Sequence, residues 1–131
     1  MAKLLNIELA NTPDDWPRVF EKHLNAGDLD AVIALYEPEA RFVTQSGDTL
    51  IGRDAIRNVL SIMIDAKTRL HGRIMRVVTV GNIAQLYTDF KGTTVDSSKK
   101  TVPVHNKAIE VLRRQSDGDW KLIIGDPNAR E

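Results

Sequence analysis

The spacing of apolar residues divides the chain into a helical first part and a stranded second part. Over residues 12–25 and 28–37, apolar side chains recur three and four positions apart, which predicts two amphipathic helices. Gly27 can end the first helix and Asp28 can cap the second, and Pro38 follows as a helix stop. From Leu70 onward the period shortens to about two, which is typical of β-strands.

Turn residues separate the remaining predicted elements. A strand at 41–45 pairs through the turn Ser46-Gly47-Asp48 with a short strand at 49–51, and a third helix begins at 52–54. Four longer strands are predicted at roughly 70–80, 83–92, 101–115 and 119–126. Helices that precede an antiparallel meander predict an α+β fold, in which a curved antiparallel sheet is closed by three N-terminal helices.

Length and composition predict one globular domain and exclude several functional classes. We expect a single domain over residues 12–127, an N-terminal arm at 1–11 and a tail at 128–131 of the 131-residue chain. Eighteen basic residues balance eighteen acidic ones, so nothing favours binding to nucleic acid. The chain has no cysteine and no long apolar run, which indicates a cytoplasmic protein without disulfides or membrane segments.

Four short motifs resemble those of the nuclear transport factor 2-like superfamily, in particular its SnoaL-like and ketosteroid isomerase-like members. They are NAGDLDAVIALY at 25–36, GR at 52–53, VLRR at 111–114 and DGDWK at 117–121. The resemblance implies a cone-shaped α+β barrel, or cystatin-like roll, often a homodimer through the outer face of its sheet. It does not fix a reaction, because this fold hosts isomerases, cyclases, hydrolases, ligand carriers and association modules.

The resemblance also assigns three positions that carry catalysis in ketosteroid isomerases. The carboxylate base falls on Thr44, the oxyanion-hole tyrosine on Phe20, and the protonated acid at or near Glu110. Threonine has no proton affinity near neutral pH, and phenylalanine lacks the hydroxyl group. Steroid isomerisation by that mechanism is therefore not expected, although the carboxyl group of Glu110 remains.

Glu110 is the main catalytic candidate. Strand alternation puts it on one face with Asn106 and Ala108, and the resemblance favours that face as the inner one, whereas hydrophobicity alone leaves the choice open. In an apolar cone its pKa would rise, which suits an acid or a base. The alternatives are a solvent-facing side chain or an ion pair with Arg73 or Arg76.

Asp126 is a weaker catalytic candidate at the end of the last strand. It is interpreted either as a polar group at the pocket mouth or as a turn residue before Pro127. The candidate ligand-binding residues are Trp16, Phe20, Tyr36, Phe42, Thr44, Leu60, Leu86, Thr88, Phe90, Asn106 and Ala108.

Two functional hypotheses follow. The first is a small-molecule isomerase, cyclase or hydrolase that works in an apolar cone without metal or cofactor and uses Glu110. The second is a non-catalytic homodimer that binds an apolar ligand or supports assembly. An open pocket that contains Glu110 would favour the first, and a Glu110–arginine contact would favour the second.

Overall fold

The structure, a computed structural model, describes residues 7–131, so most of the predicted N-terminal arm, residues 1–6, lies outside it. A 3-10 turn at Pro13–Asp15 precedes three helices, which are α1 (Trp16–Asn25), α2 (Leu29–Ile33) and α3 (Arg53–Asp65). The predicted stop and cap between α1 and α2 are confirmed. Gly27 has φ of 72°, and the Asp28 side chain accepts a hydrogen bond from the Ala31 N–H. None of the helices in the described part of the chain is long and apolar enough to cross a membrane.

Six strands form a single sheet in the order β2-β1-β6-β5-β4-β3. They are β1 (Tyr36–Val43), β2 (Thr49–Ile51), β3 (Arg69–Val80), β4 (Ile83–Val95), β5 (Thr101–Arg114) and β6 (Trp120–Asp126). The expected antiparallel meander from β3 to β6 is present.

One strand pair departs from the expected antiparallel arrangement, because β1 and β6 run parallel. Parallel strands need a long connection, and here α3 and the four strands β2 to β5 lie between the two. Periodicity reports which face a residue occupies but not which strands become neighbours, so the sequence pattern could not reveal this pairing. The sheet is therefore mixed.

The start of β1 also differs from the prediction. Helix α2 ends at Ile33, and Tyr36 and Pro38 lie on β1 rather than at the end of a helix. The register of β1 against β6 is irregular between Tyr36 and Arg41, so a proline without an N–H is tolerated there. As a result the Tyr36 side chain is presented by the sheet. Residues 44–45, predicted as the end of the first strand, lie in the turn to β2.

The core lies between the helices and the concave face of the sheet. Alternating residues of β4 and β5, such as Leu86, Phe90 and Leu112, are buried against Trp16 of α1 and Leu60 of α3. Burying a side chain of this size stabilises the fold by about 1.5–3 kcal/mol. The choice of inner face made above, with Glu110 inward, matches the observed burial of Glu110 at 5% exposure. Part of the space under the helices is left open.

Candidate functional site

A cavity of about 290 Å³ lies between the helices and the concave face of the sheet. This volume is near the lower end of the range for small-molecule sites. Aromatic side chains form much of its lining. They are Trp16, Phe20, Tyr36, Phe42 and Phe90. A cone filled by its own aromatic residues, which would have weakened the enzyme hypothesis, is not what the structure shows.

The aromatic side chains support one another, which gives the cavity a rigid wall. The rings of Trp16 and Phe20 stack with centroids 5.2 Å apart, and Tyr36 meets Trp16 edge-on at 5.8 Å. Phe20 also contacts Phe90 edge-on at 5.7 Å, which ties α1 to β4. The Trp16 Nε1–H donates to the Leu35 carbonyl at 3.1 Å, so the indole satisfies its polar atom and keeps its orientation. A wall of this kind holds its shape before any ligand arrives.

Glu110 brings a carboxyl group into this apolar space. Its Oε1 accepts a hydrogen bond of 2.8 Å from the Oγ1–H of Thr88, which is fully buried on the neighbouring strand. No other described residue bonds to the carboxyl group, and every fully buried side-chain oxygen or nitrogen within residues 7–131 has a partner. Oε2 is therefore open to the cavity. One oxygen is held and the other is available for chemistry.

Burial sets the charge of this carboxyl group. Loss of hydration raises the pKa of Glu110 to about 7, while the hydrogen bond from Thr88 and the charge of Arg130 act in the opposite direction. Within residues 7–131, no lysine or arginine lies within salt-bridge distance of Glu110. The alternative of an ion pair with Arg73 or Arg76 is thus not what the structure shows. Near neutral pH both the acid and the carboxylate are populated.

Tyr36 supplies a second polar atom in the interior of the cavity. Burial raises the pKa of its hydroxyl group, and the nearby Glu110 carboxylate raises it further, so the phenol stays protonated. Its hydroxyl has no hydrogen-bond partner among residues 7–131 and is not fully enclosed, so it faces the cavity. Tyr36 and protonated Glu110 can therefore both donate hydrogen bonds to an oxygen atom of a ligand.

Polar side chains mark the open rim of the cavity. Asn106 donates from Nδ2 to Oδ1 of Asn128 at 3.1 Å, and Asp126 lies beside them at the end of β6. Thr44 and the exposed Gln45 also line the cavity, from the turn after β1. The site is therefore apolar within and polar at its entrance, which suits a ligand with one polar end near solvent.

The model of one protein family, described as a SnoaL-like domain, matches residues 17–123. The chain belongs to the SnoaL-like family. No curated protein matches the chain in sequence.

Several solved structures share the fold of this SnoaL-like domain. It is similar to a ketosteroid isomerase-like protein from Erwinia carotovora, with TM-score 0.71 and 19% identity, covering 82% of this chain and 85% of that one. A nuclear transport factor 2-like protein with a cystatin-like fold from Novosphingobium aromaticivorans gives TM-score 0.67 and 14% identity, covering 82% and 72%.

A third similar structure is a proposed association domain of calcium/calmodulin-dependent protein kinase type II from Thiobacillus denitrificans. The TM-score is 0.73 at 20% identity, and the match covers 92% of this chain and 98% of that one. At these identities the likeness establishes a shared fold and no shared activity. The expected SnoaL-like family and the cone-like α+β architecture are confirmed.

Most of the candidate site residues named from the sequence meet at one place in the SnoaL-like domain. Eleven of the thirteen line the cavity. They are Trp16, Phe20, Tyr36, Phe42, Thr44, Leu60, Phe90, Asn106, Ala108, Glu110 and Asp126. Leu86 and Thr88 do not reach it, because both are fully buried in the layer beneath. Thr88 acts on the cavity indirectly, through its hydrogen bond to Glu110.

Of the three positions that align with catalytic residues of ketosteroid isomerases, only Glu110 carries a group that can transfer a proton. Phe20 and Glu110 both line the cavity, and Thr44 lies at its rim. Thr44 Oγ1 accepts from the Asp48 N–H at 3.1 Å and lies 2.9 Å from the Ser46 hydroxyl, so it stabilises a turn. Phe20 brings no hydroxyl group to the cavity, whereas Tyr36 places a phenol there from β1.

Sequence reasoning missed several cavity residues, among them Gln45, Met63, Pro127 and Asn128. Met63 lies one helical turn beyond Val59 and could have been found from the apolar period of α3. Residues 127–128 follow the last strand, in a segment that carries no periodic signal. Within residues 7–131, no three His, Asp or Glu side chains are grouped as a metal site.

Proposed function

We propose that this SnoaL-like domain binds a small, mainly apolar molecule in its cavity and moves a proton on it with Glu110. The observation that carries the proposal is a buried carboxyl group whose Oε1 is held by Thr88 while its Oε2 faces an apolar cavity of about 290 Å³. A fixed acid–base group in a preformed apolar pocket is the minimum that proton-transfer catalysis requires.

The protonation state of Glu110 supports both halves of a proton transfer. With a pKa of about 7, the carboxylate can take a proton from a carbon acid or from water, and the acid can return it. The Tyr36 hydroxyl would stabilise negative charge that develops on a neighbouring carbonyl or epoxide oxygen. These roles are compatible with cofactor-independent isomerisation, cyclisation or hydrolysis.

The substrate class is tested by a screen of cyclic ketones, lactones and epoxides. Binding would raise the melting temperature of the wild-type protein, and product formation would be followed by mass spectrometry or NMR. A thermal shift without turnover would support binding alone. No shift with any compound of the three classes would contradict the proposal.

The role of Glu110 is tested on any compound that is turned over. Glu110→Gln keeps the size of the side chain and the acceptor for Thr88 but cannot transfer a proton, so kcat is expected to fall by about 10² or more. Glu39→Gln, at an exposed position of β1, is the matched control and should leave kcat unchanged. Retained turnover in Glu110→Gln would assign the chemistry to another group.

A second function, assembly as a homodimer, is favoured by the outer face of the sheet. Neighbouring strands place Val78, Val111 and Ile124 in one row on this face, with Gln85 between the first two. Val78 and Ile124 are 52% and 42% exposed, and an exposed apolar row of this kind is typical of an interface. The structure from Thiobacillus denitrificans, named for association, shares this fold.

Light scattering coupled to size-exclusion chromatography tests the dimer. The measured molar mass of the wild-type protein is expected to be twice that of one chain. Val78→Asp or Ile124→Asp should convert the protein to a monomer. Ile62→Asp on α3 is the matched control, since Ile62 is also exposed but lies on a helix away from this face. A monomeric wild-type protein, or dissociation by the control alone, would refute the proposed interface.

A further inference from the structure

The segment that follows β6, residues 127–131, passes from the rim of the cavity to the outer face of the sheet. Pro127 and Asn128 line the cavity, and Asn128 is held by the hydrogen bond from Asn106. Two residues later, the Arg130 N–H donates to the Lys107 carbonyl at 3.2 Å. The segment therefore runs beside the part of β5 that β6 no longer covers, and it forms one side of the entrance.

Arg130 fastens this segment with its side chain. One guanidinium nitrogen, Nη2, donates to Oδ1 of Asp89 at 2.7 Å and lies 3.2 Å from the carbonyl oxygens of both Thr88 and Ala108. The guanidinium also lies over the Tyr87 ring, 5.1 Å from its centroid. Tyr87 and Asp89 alternate with the inward residues of β4, so Arg130 lies behind the sheet, opposite the cavity.

Thr88 is bonded on both faces of the sheet. On the outer face its carbonyl oxygen accepts from Arg130, and on the inner face its hydroxyl group donates to Glu110 at 2.8 Å. Thr88 alone therefore links Arg130, which holds the segment at the rim, to the Glu110 carboxyl group in the cavity. A shift of the Arg130 side chain would displace the Thr88 carbonyl group. Because the same residue donates the hydrogen bond to Glu110, that hydrogen bond would shift too.

We propose that Arg130 is a positioning residue that holds residues 127–131 as a wall of the cavity entrance and, through Thr88, fixes the Glu110 carboxyl group. The structural part of this inference concerns the protein without a ligand. Its consequence for catalysis rests on the proton-transfer function proposed above.

Charge supports the same assignment. Arg130 favours the ionised form of Glu110 and opposes part of the effect of burial on its pKa. The other titratable groups that face this cavity are Tyr36, which stays neutral, and Asp126 at the rim. The helices α1 and α3 present only apolar side chains to it. Among residues 7–131, Arg130 is therefore the cation whose charge acts on Glu110.

The test compares Arg130→Met and Arg130→Lys with Arg114→Met, a control at an exposed arginine near the opposite end of β5. The first readout is the pKa of Glu110, taken as the pH midpoint of the chemical-shift change of its carboxyl carbon in an NMR titration of the ligand-free protein. We expect Arg130→Met to raise the midpoint above about 7. Arg130→Lys, which keeps the charge, should raise it less, and Arg114→Met should not move it.

The second readout is hydrogen exchange of the amide at position 130, which donates to the Lys107 carbonyl and which a change of charge alone would not alter. We expect exchange to accelerate about tenfold or more in both Arg130 variants, because a lysine cannot replace the forked contacts of a guanidinium. Asp89→Asn, which keeps Arg130 but weakens its strongest contact, should accelerate exchange to an intermediate extent. Circular dichroism confirms that each variant is folded.

Each outcome decides the inference. If Arg130→Met matches Arg114→Met in both the titration and the exchange rates, the positioning role is refuted. If the expected changes occur but no compound in the screen binds, the inference stands and the proposed catalytic function fails. If a compound is turned over while both readouts stay unchanged in Arg130→Met, the proposed function stands and the role of Arg130 fails.

Discussion

Replacing Glu110 by glutamine should stabilise the protein at alkaline pH. The folded protein holds the Glu110 proton with a pKa of about 7, whereas the ordinary value, expected in the unfolded chain, is 4.5. Between these two values the folded state binds more protons than the unfolded state, so stability falls as pH rises. Below about pH 4.5 the carboxyl group is neutral in both states, and above about pH 7 the full penalty is present.

The size of the effect follows from the two pKa values. A difference of about 2.5 pKa units, at 1.36 kcal/mol each, corresponds to roughly 3 kcal/mol of lost stability at alkaline pH. Glutamine cannot ionise and can still accept the hydrogen bond from Thr88 through Oε1. The stability advantage of Glu110→Gln over the wild type should therefore grow by about 2–3 kcal/mol between pH 5 and pH 8.

Urea denaturation of both proteins at several pH values measures this difference directly. Other titrating groups contribute equally to both proteins and cancel. Glu39→Gln is the matched control, since Glu39 is exposed, and its difference from the wild type should stay constant over the same range. A Glu110→Gln advantage that is the same at pH 5 and pH 8 would refute a buried, mostly protonated Glu110.

Three further substitutions test the packing around the site. Thr88→Val should raise the Glu110 pKa, because it removes a hydrogen bond that favours the carboxylate, and an NMR titration checks this. Leu60→Ala should lower the free energy of unfolding by about 2–5 kcal/mol and admit bulkier ligands, as measured by urea denaturation and thermal shift. Gly92→Ala should destabilise by about 3 kcal/mol or more in thermal denaturation, since its Cβ would lie 1.8 Å from the Arg69 carbonyl oxygen. A near-neutral Gly92→Ala would contradict this strand pairing.

Local patterns were sufficient for the parts of the fold that depend on short-range chemistry. The cap at Asp28 and the stop at Gly27 follow from residue types that suit one backbone conformation. Strand alternation, read together with the family resemblance, also oriented Glu110 correctly, because the side-chain period of a strand is two.

Local patterns failed where a neighbour distant in sequence decides the structure. The run that ends at Tyr36 has helical spacing, yet Tyr36 starts a strand because β6 is available as its partner. Tyr36 was expected at the cavity as part of a helix, whereas it reaches the cavity from a strand. Propensity is a weak prior that tertiary packing overrides.

The sequence by itself determined the class of fold, the family and a single carboxyl group that could work in an apolar cone. Only the tertiary structure decided that the cone keeps an open cavity, that Tyr36 enters it from a strand, and that Arg130 lies behind the sheet. The physical reason is that periodicity records which side of an element a residue occupies, whereas a site depends on distances between elements. Those distances are set when the helices and the sheet pack together, and they give Glu110 its burial, its hydrogen bond and its pKa.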